Sequence, residues 1–130
     1  MRSKEEFTGV AGLKAVVVDH RNKLNPVKDQ GSCGSCWAFS AQGTIEGTNS
    51  ILLGSLNSFS EQYLNDCDKK SSGCNGGLMK YAFDLLIANA NVLEHNYPYA
   101  AKNQVCQNPA RTNFWVTSRV AVAKTHTAMK

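Results

Sequence analysis

The stretch QGSCGSCWAFS, from Gln30 to Ser40, constrains the fold more than any other part of the chain. It places two cysteines three residues apart, after small residues and ahead of a run that favours a helix. Ser35, or the loop before it, can cap a helix that begins at Cys36. Cys36 would then lie at the positive end of the helix dipole, where the first backbone N–H groups have no partner within the helix. A thiol in that place is favoured as the thiolate, the form that attacks carbonyl carbon.

Gln30 and the backbone of Cys36 are candidate donors for a developing oxyanion. The side-chain amide of Gln30 can supply one N–H close to the thiol, and the backbone N–H of Cys36 can supply a second. Two donors aimed at one point are what an oxyanion requires. The pattern therefore favours acyl transfer with Cys36 as the nucleophile and a thioester intermediate. The alternatives are a disulfide partner or inert thiol for Cys36, and an ordinary loop glutamine for Gln30.

A family resemblance is carried by five separated segments of the sequence. They are QGSCGSCWAFS at 30–40, IEG at 45–47, SEQYLNDC at 60–67, GCNGGLM at 73–79 and YPY at 97–99. In this order they resemble the papain-like cysteine peptidases, and the match covers roughly residues 16–106. The pocket residues look closest to the cathepsin L-like branch. The resemblance implies that the chain holds the N-terminal half of the catalytic domain.

The resemblance implies an α+β fold, with a papain-like helical lobe, short flanking strands, and a second, β-barrel lobe that is largely absent. Residue patterns predict a long helix that begins at Cys36 and stops near Gly54. A short helix is opened by Ser58 or Ser60, and an amphipathic helix follows over 78–91. The segments at 16–22 and 114–123 are typical of strands.

The N-terminal residues stand apart from the expected domain. Residues 2 and 4 are basic and residues 5 and 6 are acidic, with no apolar run after them, so this segment does not fit a signal peptide as it stands. SKEEF followed by a glycine-containing stretch resembles the tail of the inhibitory propeptide of the family; an arbitrary polar leader is the alternative. We expect residues 1–14 to be a propeptide remnant and residues 15–130 to form the truncated peptidase domain.

The five cysteines indicate a disulfide framework with one thiol left over. With Cys36 set aside, the other four can pair in three ways. The family resemblance implies Cys33 with Cys74 and Cys67 with Cys106. Such bridges form in oxidising compartments, so the parent protein is expected to be lysosomal, vacuolar or secreted. Cys33 and Cys36 form a CxxC motif, but the flanking sequence does not show the strand and βαβ unit that a redox-active CxxC would have. A zinc site would need further pairs of closely spaced cysteines, and the chain has one such pair.

The segment around the glycine pair holds the candidate substrate-binding residues. Gly76 and Gly77 would let a substrate backbone approach closely and bind in extended form. The resemblance places Leu78 and Met79 at the S2 pocket, where they favour an apolar P2 side chain. It also implies that the walls and floor near S1 and S3 are formed by Cys33, Cys74, Gly34, Gly76 and Gly77. Ordinary helix core is the alternative for Leu78 and Met79.

A peptidase of this kind needs an imidazole beside the thiol and a third group that orients the ring. By the resemblance these come roughly 130 to 150 residues after the nucleophile, beyond Lys130. His20, His95 and His126 lie in segments unlike the family's catalytic-histidine strand, so none is assigned. We therefore expect a cysteine peptidase by family whose chain, as given, is inactive alone. The alternative is a catalytically inactive papain-like binding or regulatory protein.

Charge and hydropathy restrict the partners. The net charge of +4, from 14 Lys and Arg against 10 Asp and Glu, comes without a dense basic run or interleaved aromatic residues. This favours a solvated surface over a nucleic-acid interface. No segment approaches the apolar length of a membrane span. We expect peptide or protein substrates, propeptide or protein inhibitors, and no cofactor, metal, nucleic acid or membrane partner.

Overall fold

The structure, a computed structural model, describes residues 18–119. Its α-helices are α1 (Cys36–Leu53), α2 (Glu61–Cys67) and α3 (Met79–Ala88). Short 3-10 turns precede α1, separate α2 from α3 and follow α3, at Arg21–Lys23, Gly73–Asn75 and Glu94–Asn96. No β-strand occurs between residues 18 and 119, where an isolated antiparallel bridge joins Phe59 to Leu93.

The helix boundaries follow local sequence signals. α1 begins at Cys36, as predicted, and Gly54 ends it in the left-handed conformation with φ of 71°. Glycine adopts this conformation without a steric penalty, and its N–H donates to the carbonyl of Ser50 at 3.1 Å. Of the two serines predicted to open α2, Ser60 is the cap, because its Oγ accepts from the N–H of Tyr63 at 2.9 Å. The third helix is shorter than its pattern predicts and ends at Ala88.

The predicted flanking strands are wrong for the described residues. In the first, the carboxylate of Asp19 accepts from the backbone and guanidinium of Arg21, and the chain turns instead of extending. In the second, residues 114–119 form hydrogen bonds with a loop and a helix end: Asn91 donates to Phe114, and Val116 donates to Leu86. A β-strand needs a neighbouring strand as its hydrogen-bond partner, and residues 114–119 bond to a loop and a helix instead. The remaining parts of both segments, 16–17 and 120–123, lie outside the described residues.

The core lies where α1 packs against α2 and α3. Its buried side chains are Trp37, Ala38, Ala41, Tyr63, Leu64, Cys67, Ala82, Leu86, Val92 and Tyr97. Each large apolar side chain that is fully buried contributes about 1.5–3 kcal/mol. Because Trp37 and Ala38 belong to this core, packing fixes the first turn of α1, on which Cys36 lies.

A buried charged cluster attaches the chain before α1 to the first two helices. Nζ of Lys28 lies 2.9 Å from a carboxylate oxygen of Glu46 and 2.9 Å from one of Glu61. Burial raises the pKa of Glu61 to about 7, against the opposing effect of Lys28. Burial also opposes the charge on Lys28, but its hydrogen bonds with Glu61 and Glu46 raise the lysine pKa overall. Because a buried charge without a partner is strongly destabilising, the cluster holds these three segments together.

Two disulfides fasten loops to this helical frame. Cys33 is bonded to Cys74, and Cys67 to Cys106. These are the pairs implied by the family resemblance, and Cys36 is the free cysteine among the described residues. Sequence separations of 41 and 39 residues make each bridge worth about 4 kcal/mol in the chain-entropy account. The first bridge joins the loop that precedes α1 to the 3-10 turn that precedes α3.

Neither a membrane-spanning helix nor a cluster of metal ligands occurs among the described residues. None of their helices combines the length and the apolar character that crossing a bilayer demands. In the same part of the chain, His, Cys, Asp and Glu side chains form no group of three or more suited to a metal ion.

Candidate active site at the start of α1

Cys36 is an exposed thiol between two buried neighbours. It is the first residue of α1, while Ser35 is 0% exposed and Trp37 is 3% exposed. The indole N–H of Trp37 donates to the carbonyl of Gly73 at 3.1 Å. The residues on either side of the thiol are therefore fixed in the fold, and the thiol itself faces outward.

The start of α1 leaves a backbone donor beside the thiol. The carbonyl of Ser35 accepts from the N–H groups of Ala38 and Phe39, at 2.9 and 3.1 Å, but the Ser35 side chain does not cap the helix. Among residues 18–119, the N–H of Cys36 has no hydrogen-bond acceptor. This N–H can therefore donate to a ligand, at the helix end where the dipole favours negative charge.

Gln30 lies in the loop that leads to Cys36. Its amide Nε2 donates to the carbonyl of Cys33 at 2.9 Å, so its direct partner is Cys33 and not Cys36. An amide nitrogen carries two hydrogens, and this bond uses one of them. The second N–H can still donate to a ligand. The bond to Cys33 restricts where the amide can lie.

Gly34 lets two loops touch. Its N–H donates to the carbonyl of Cys74 at 2.9 Å. A Cβ atom at this position would lie 2.5 Å from that same carbonyl oxygen, closer than real Cβ contacts. The residue next to the disulfide must therefore be glycine for the loop before α1 to lie against the turn before α3.

The two glycines that follow this turn differ in their surroundings. Gly76 has open space where a side chain would lie, but its N–H donates to Gly73 and its carbonyl accepts from Ser72. Gly77 packs closely, since a Cβ there would lie 2.8 Å from the ring of Trp37. In the part of the chain that the structure describes, neither the N–H nor the carbonyl of Gly77 has a backbone partner. The backbone of Gly77 is thus the one available to an extended peptide.

Leu78 and Met79 lie at the start of α3 with their side chains outside the core. Leu78 is 51% exposed and Met79 is 46% exposed, which does not fit the helix-core alternative. The hydroxyl of Ser40, on α1, donates to the sulfur of Met79 at 2.8 Å. The two apolar side chains therefore lie on the surface, and Met79 is linked to the helix that carries Cys36.

The two histidines among the described residues lie in or next to 3-10 turns, and neither is hydrogen-bonded to the thiol of Cys36. His20 is exposed beside the turn Arg21–Lys23. His95 lies in the turn Glu94–Asn96 and lines a cavity of about 460 Å³ together with Leu56, Asn57, Ser58, Leu93, Glu94 and Pro98. His126 lies outside the described residues. Neither His20 nor His95 forms a hydrogen bond with Cys36.

Tyr99 is the neighbour of the site that sequence reasoning missed. Its hydroxyl donates to the carbonyl of Gln30 and lies 2.8 Å from Oγ of Ser35. The segment YPY resembles a family motif, but no local pattern connects Tyr99 with Ser35, which lies 64 residues earlier. The contact depends on how the loops fold together.

Comparison with known proteins gives relatives of one kind. The family described as "Papain family cysteine protease" matches residues 15–130. The cysteine proteinase COT44 of Brassica napus is 49% identical over 106 residues, which cover 78% of this chain and 32% of the relative. Caricain of Carica papaya is 50% identical over 92 residues, which cover 69% of this chain and 26% of the relative.

Solved structures with a similar fold belong to the same kind of enzyme. The Carica candamarcensis cysteine protease CMS1MS2, solved in complex with E-64, superposes with a TM-score of 0.75 at 36% identity, over 86% of this chain and 55% of that chain. Digestive procathepsin L 3 of Tenebrio molitor gives a TM-score of 0.67 at 41% identity, over 70% of this chain and 31% of that chain. The chain thus spans a third or less of these curated relatives and about half of CMS1MS2. Since the family match covers most of its residues, the chain belongs to the papain family of cysteine proteases.

Proposed function

We propose that Cys36 is the nucleophile of a peptidase that cleaves peptide bonds. The observation that carries this proposal is the free, exposed thiol at the first residue of α1, held between buried neighbours. Its thiolate attacks the carbonyl carbon, so that a C–S bond forms and the carbonyl oxygen takes the negative charge. Collapse of this intermediate breaks the C–N bond and releases the amine. Water then hydrolyses the thioester.

The developing oxyanion is stabilised by two donors. One is the backbone N–H of Cys36, which has no acceptor among residues 18–119. The other is the second amide N–H of Gln30, whose first N–H is bonded to Cys33. Loss of one such donor typically lowers kcat by about 10²–10³.

The substrate is a peptide in extended form with an apolar P2 side chain. The backbone groups of Gly77 support this, because they have no hydrogen-bond partner within residues 18–119 and can form strand-like hydrogen bonds with a peptide. Leu78 and Met79 offer the adjoining apolar surface, and Gly34 and Gly76 line the same loops. Propeptides or protein inhibitors would occupy this same surface beside Gly77, Leu78 and Met79, the proposed substrate groove. We assign residues 1–14 as a propeptide remnant and residues 15–130 as the peptidase domain.

The base that completes the reaction comes from outside the described residues. Neither His20 nor His95 forms a hydrogen bond with Cys36, and the relatives are longer than the portion they share with this chain. On this proposal, the described residues supply the nucleophile, the oxyanion donors and part of the substrate groove, and they need a base from elsewhere to cleave a peptide. Its two disulfides support a lysosomal, vacuolar or secreted location for the parent protein.

A catalytically inactive, peptide-binding protein is the second candidate. It is favoured by two features of residues 18–119: the backbone of Gly77 has no hydrogen-bond partner, and no histidine forms a hydrogen bond with Cys36. Such a protein would hold a peptide in the same groove and release it uncut.

An activated ester separates the two candidates. A peptide p-nitrophenyl ester with an apolar P2 residue needs no acid to protonate its leaving group, so a nucleophile and oxyanion donors suffice. We expect one equivalent of p-nitrophenolate and one acyl adduct on Cys36, located by mass spectrometry. Cys36→Ser abolishes both and Gln30→Ala slows the release. Binding of the ester without acylation of Cys36 would contradict the nucleophile proposal and favour the peptide-binding protein.

A further inference from the structure

Tyr99 links the loop that carries Gln30 to the residue that precedes Cys36. Its hydroxyl donates to the backbone carbonyl of Gln30 and lies 2.8 Å from Oγ of Ser35. A carbonyl oxygen can only accept, so the single hydrogen of Tyr99 goes to Gln30 and the hydroxyl of Ser35 donates to Tyr99. One phenol oxygen therefore sets the position of Gln30 relative to the start of α1.

α1 begins without a side-chain cap, and the hydroxyl of Ser35 bonds to Tyr99 instead. A serine before a helix ordinarily accepts from an N–H of the first turn. The hydroxyl of Ser35 is instead turned towards Tyr99 and makes no such bond. A hydroxyl that would compete for the donors at the helix start is thereby held away from them.

Tyr99 is itself held by three separate parts of the fold. Its ring packs edge-to-face against Phe39 of α1, with ring centroids 4.9 Å apart. Its backbone N–H donates to the carboxylate of Glu94 at 3.2 Å. The N–H of the next residue, Ala100, donates to the side chain of Gln62 on α2 at 2.8 Å. Removal of the hydroxyl alone would therefore leave the ring in place.

The far end of the same loop is held independently. Cys33 is bonded to Cys74, and its carbonyl accepts from the amide of Gln30 at 2.9 Å. Loss of the Tyr99 hydroxyl would thus free the backbone at Gln30 without releasing the loop from the disulfide. The expected change is local to the segment between Gln30 and Ser35.

We propose that Tyr99 is a positioning residue for the oxyanion donors, acting through Gln30 and Ser35 without touching the substrate. The inference rests on the proposed roles of Cys36 and Gln30. In Tyr99→Phe the Gln30 amide samples more positions, while Cys36 stays at the start of α1. The substitution weakens adducts that carry an oxygen at the oxyanion position and spares reactions of the thiol that have none.

Two reagents applied to the whole chain separate these effects. A peptide aldehyde adds reversibly to the thiol and gives a hemithioacetal whose oxygen needs the donors, whereas iodoacetamide alkylates the thiol by displacing iodide. We expect Tyr99→Phe to weaken aldehyde binding about tenfold, the equivalent of one hydrogen bond, and to leave the alkylation rate of Cys36 unchanged. The matched control is Tyr81→Phe. Tyr81 lies on α3, with the ammonium groups of Lys70 and Lys80 over its ring, and the variant should behave as the parent chain.

Gln30→Ala in the same assay separates the inference from the proposed function. If Gln30→Ala weakens aldehyde binding and Tyr99→Phe does not, Tyr99 has no positioning role and the proposed function stands. If neither substitution has an effect, or the parent chain binds no aldehyde, the donor role of Gln30 fails and the inference fails with it. If Tyr99→Phe slows alkylation as much as it weakens the aldehyde, the role of Tyr99 is only structural and the inference is overturned.

Discussion

Gly34 shows how one residue decides whether the site can assemble. The loop before α1 and the turn before α3 approach so closely that the Gly34 N–H bonds directly to the Cys74 carbonyl. The adjoining disulfide, from Cys33 to Cys74, holds the same two segments together covalently. A side chain at Gly34 would have to push these segments apart while the disulfide resists. The local geometry around Cys36 therefore depends on the absence of a single Cβ atom.

Gly34→Ala should destabilise the chain by about 1–3 kcal/mol, because the added Cβ would lie 2.5 Å from the Cys74 carbonyl oxygen. Gly43→Ala is the matched control. It lies within α1, a Cβ there meets nothing within 4 Å, and alanine is the better helix former, so it should stabilise by about 0.5–1 kcal/mol. Urea or thermal unfolding measures both. Equal effects of the two substitutions would show that the close approach at Gly34 does not constrain the fold.

At the scale of elements, a buried cluster of charges joins the helices. Lys28 bridges Glu46 on α1 and Glu61 on α2. Glu94, in the turn Glu94–Asn96, lies near enough for its charge to interact with both of these glutamates. Burial raises the pKa of Glu61 to about 7 and raises that of Glu94 as well. Because both carboxyl groups bind protons more tightly in the folded chain, protonation favours folding.

The free energy of unfolding should therefore fall as the pH rises. The contribution of Glu61 is complete below its ordinary pKa of 4.5 and is lost as the pH passes through about 7, since the folded chain binds the extra proton in this window. The loss is at most about 3 kcal/mol. Glu61→Gln should flatten this dependence, whereas Asp84→Asn should keep it, because Arg119 lowers the pKa of Asp84 below this range. Urea unfolding across the window measures the slope, and an unchanged slope in Glu61→Gln would contradict the account.

The sequence predicted elements whose signals are local and missed those that depend on distant contacts. The start of α1, its stop at Gly54 and the cap at Ser60 follow from a few adjacent residues. The strand-like segment from residue 114 has the right side chains, but a strand needs a partner that its own sequence does not specify. The same distinction applies to the site. The position of Cys36 at the start of a helix could be predicted from its motif. The hydrogen bonds that join Tyr99 to Gln30 and Ser35 form only when distant loops fold together.

On the scale of the whole molecule, the described residues supply one side of the proposed active site. The thiol, the Gln30 loop and the Gly77 backbone share one end of α1. Further along α1, an apolar groove of about 630 Å³ remains open, lined by α1, α3 and the exposed ring of Trp115. The relatives are several times longer than the shared portion, so the proposed catalytic base belongs to the part of the family's domain that the described residues do not supply.

The central claim, that Cys36 is an activated nucleophile because of its place at the start of α1, is tested most directly by covalent labelling. The refolded chain would be treated at mildly acidic pH with an epoxide-type thiol-peptidase inhibitor, and mass spectrometry would locate the adduct. We predict a single adduct, confined to Cys36 and formed faster than with free cysteine. Labelling that is no faster than that of free cysteine, or that is spread over other residues, would contradict the claim.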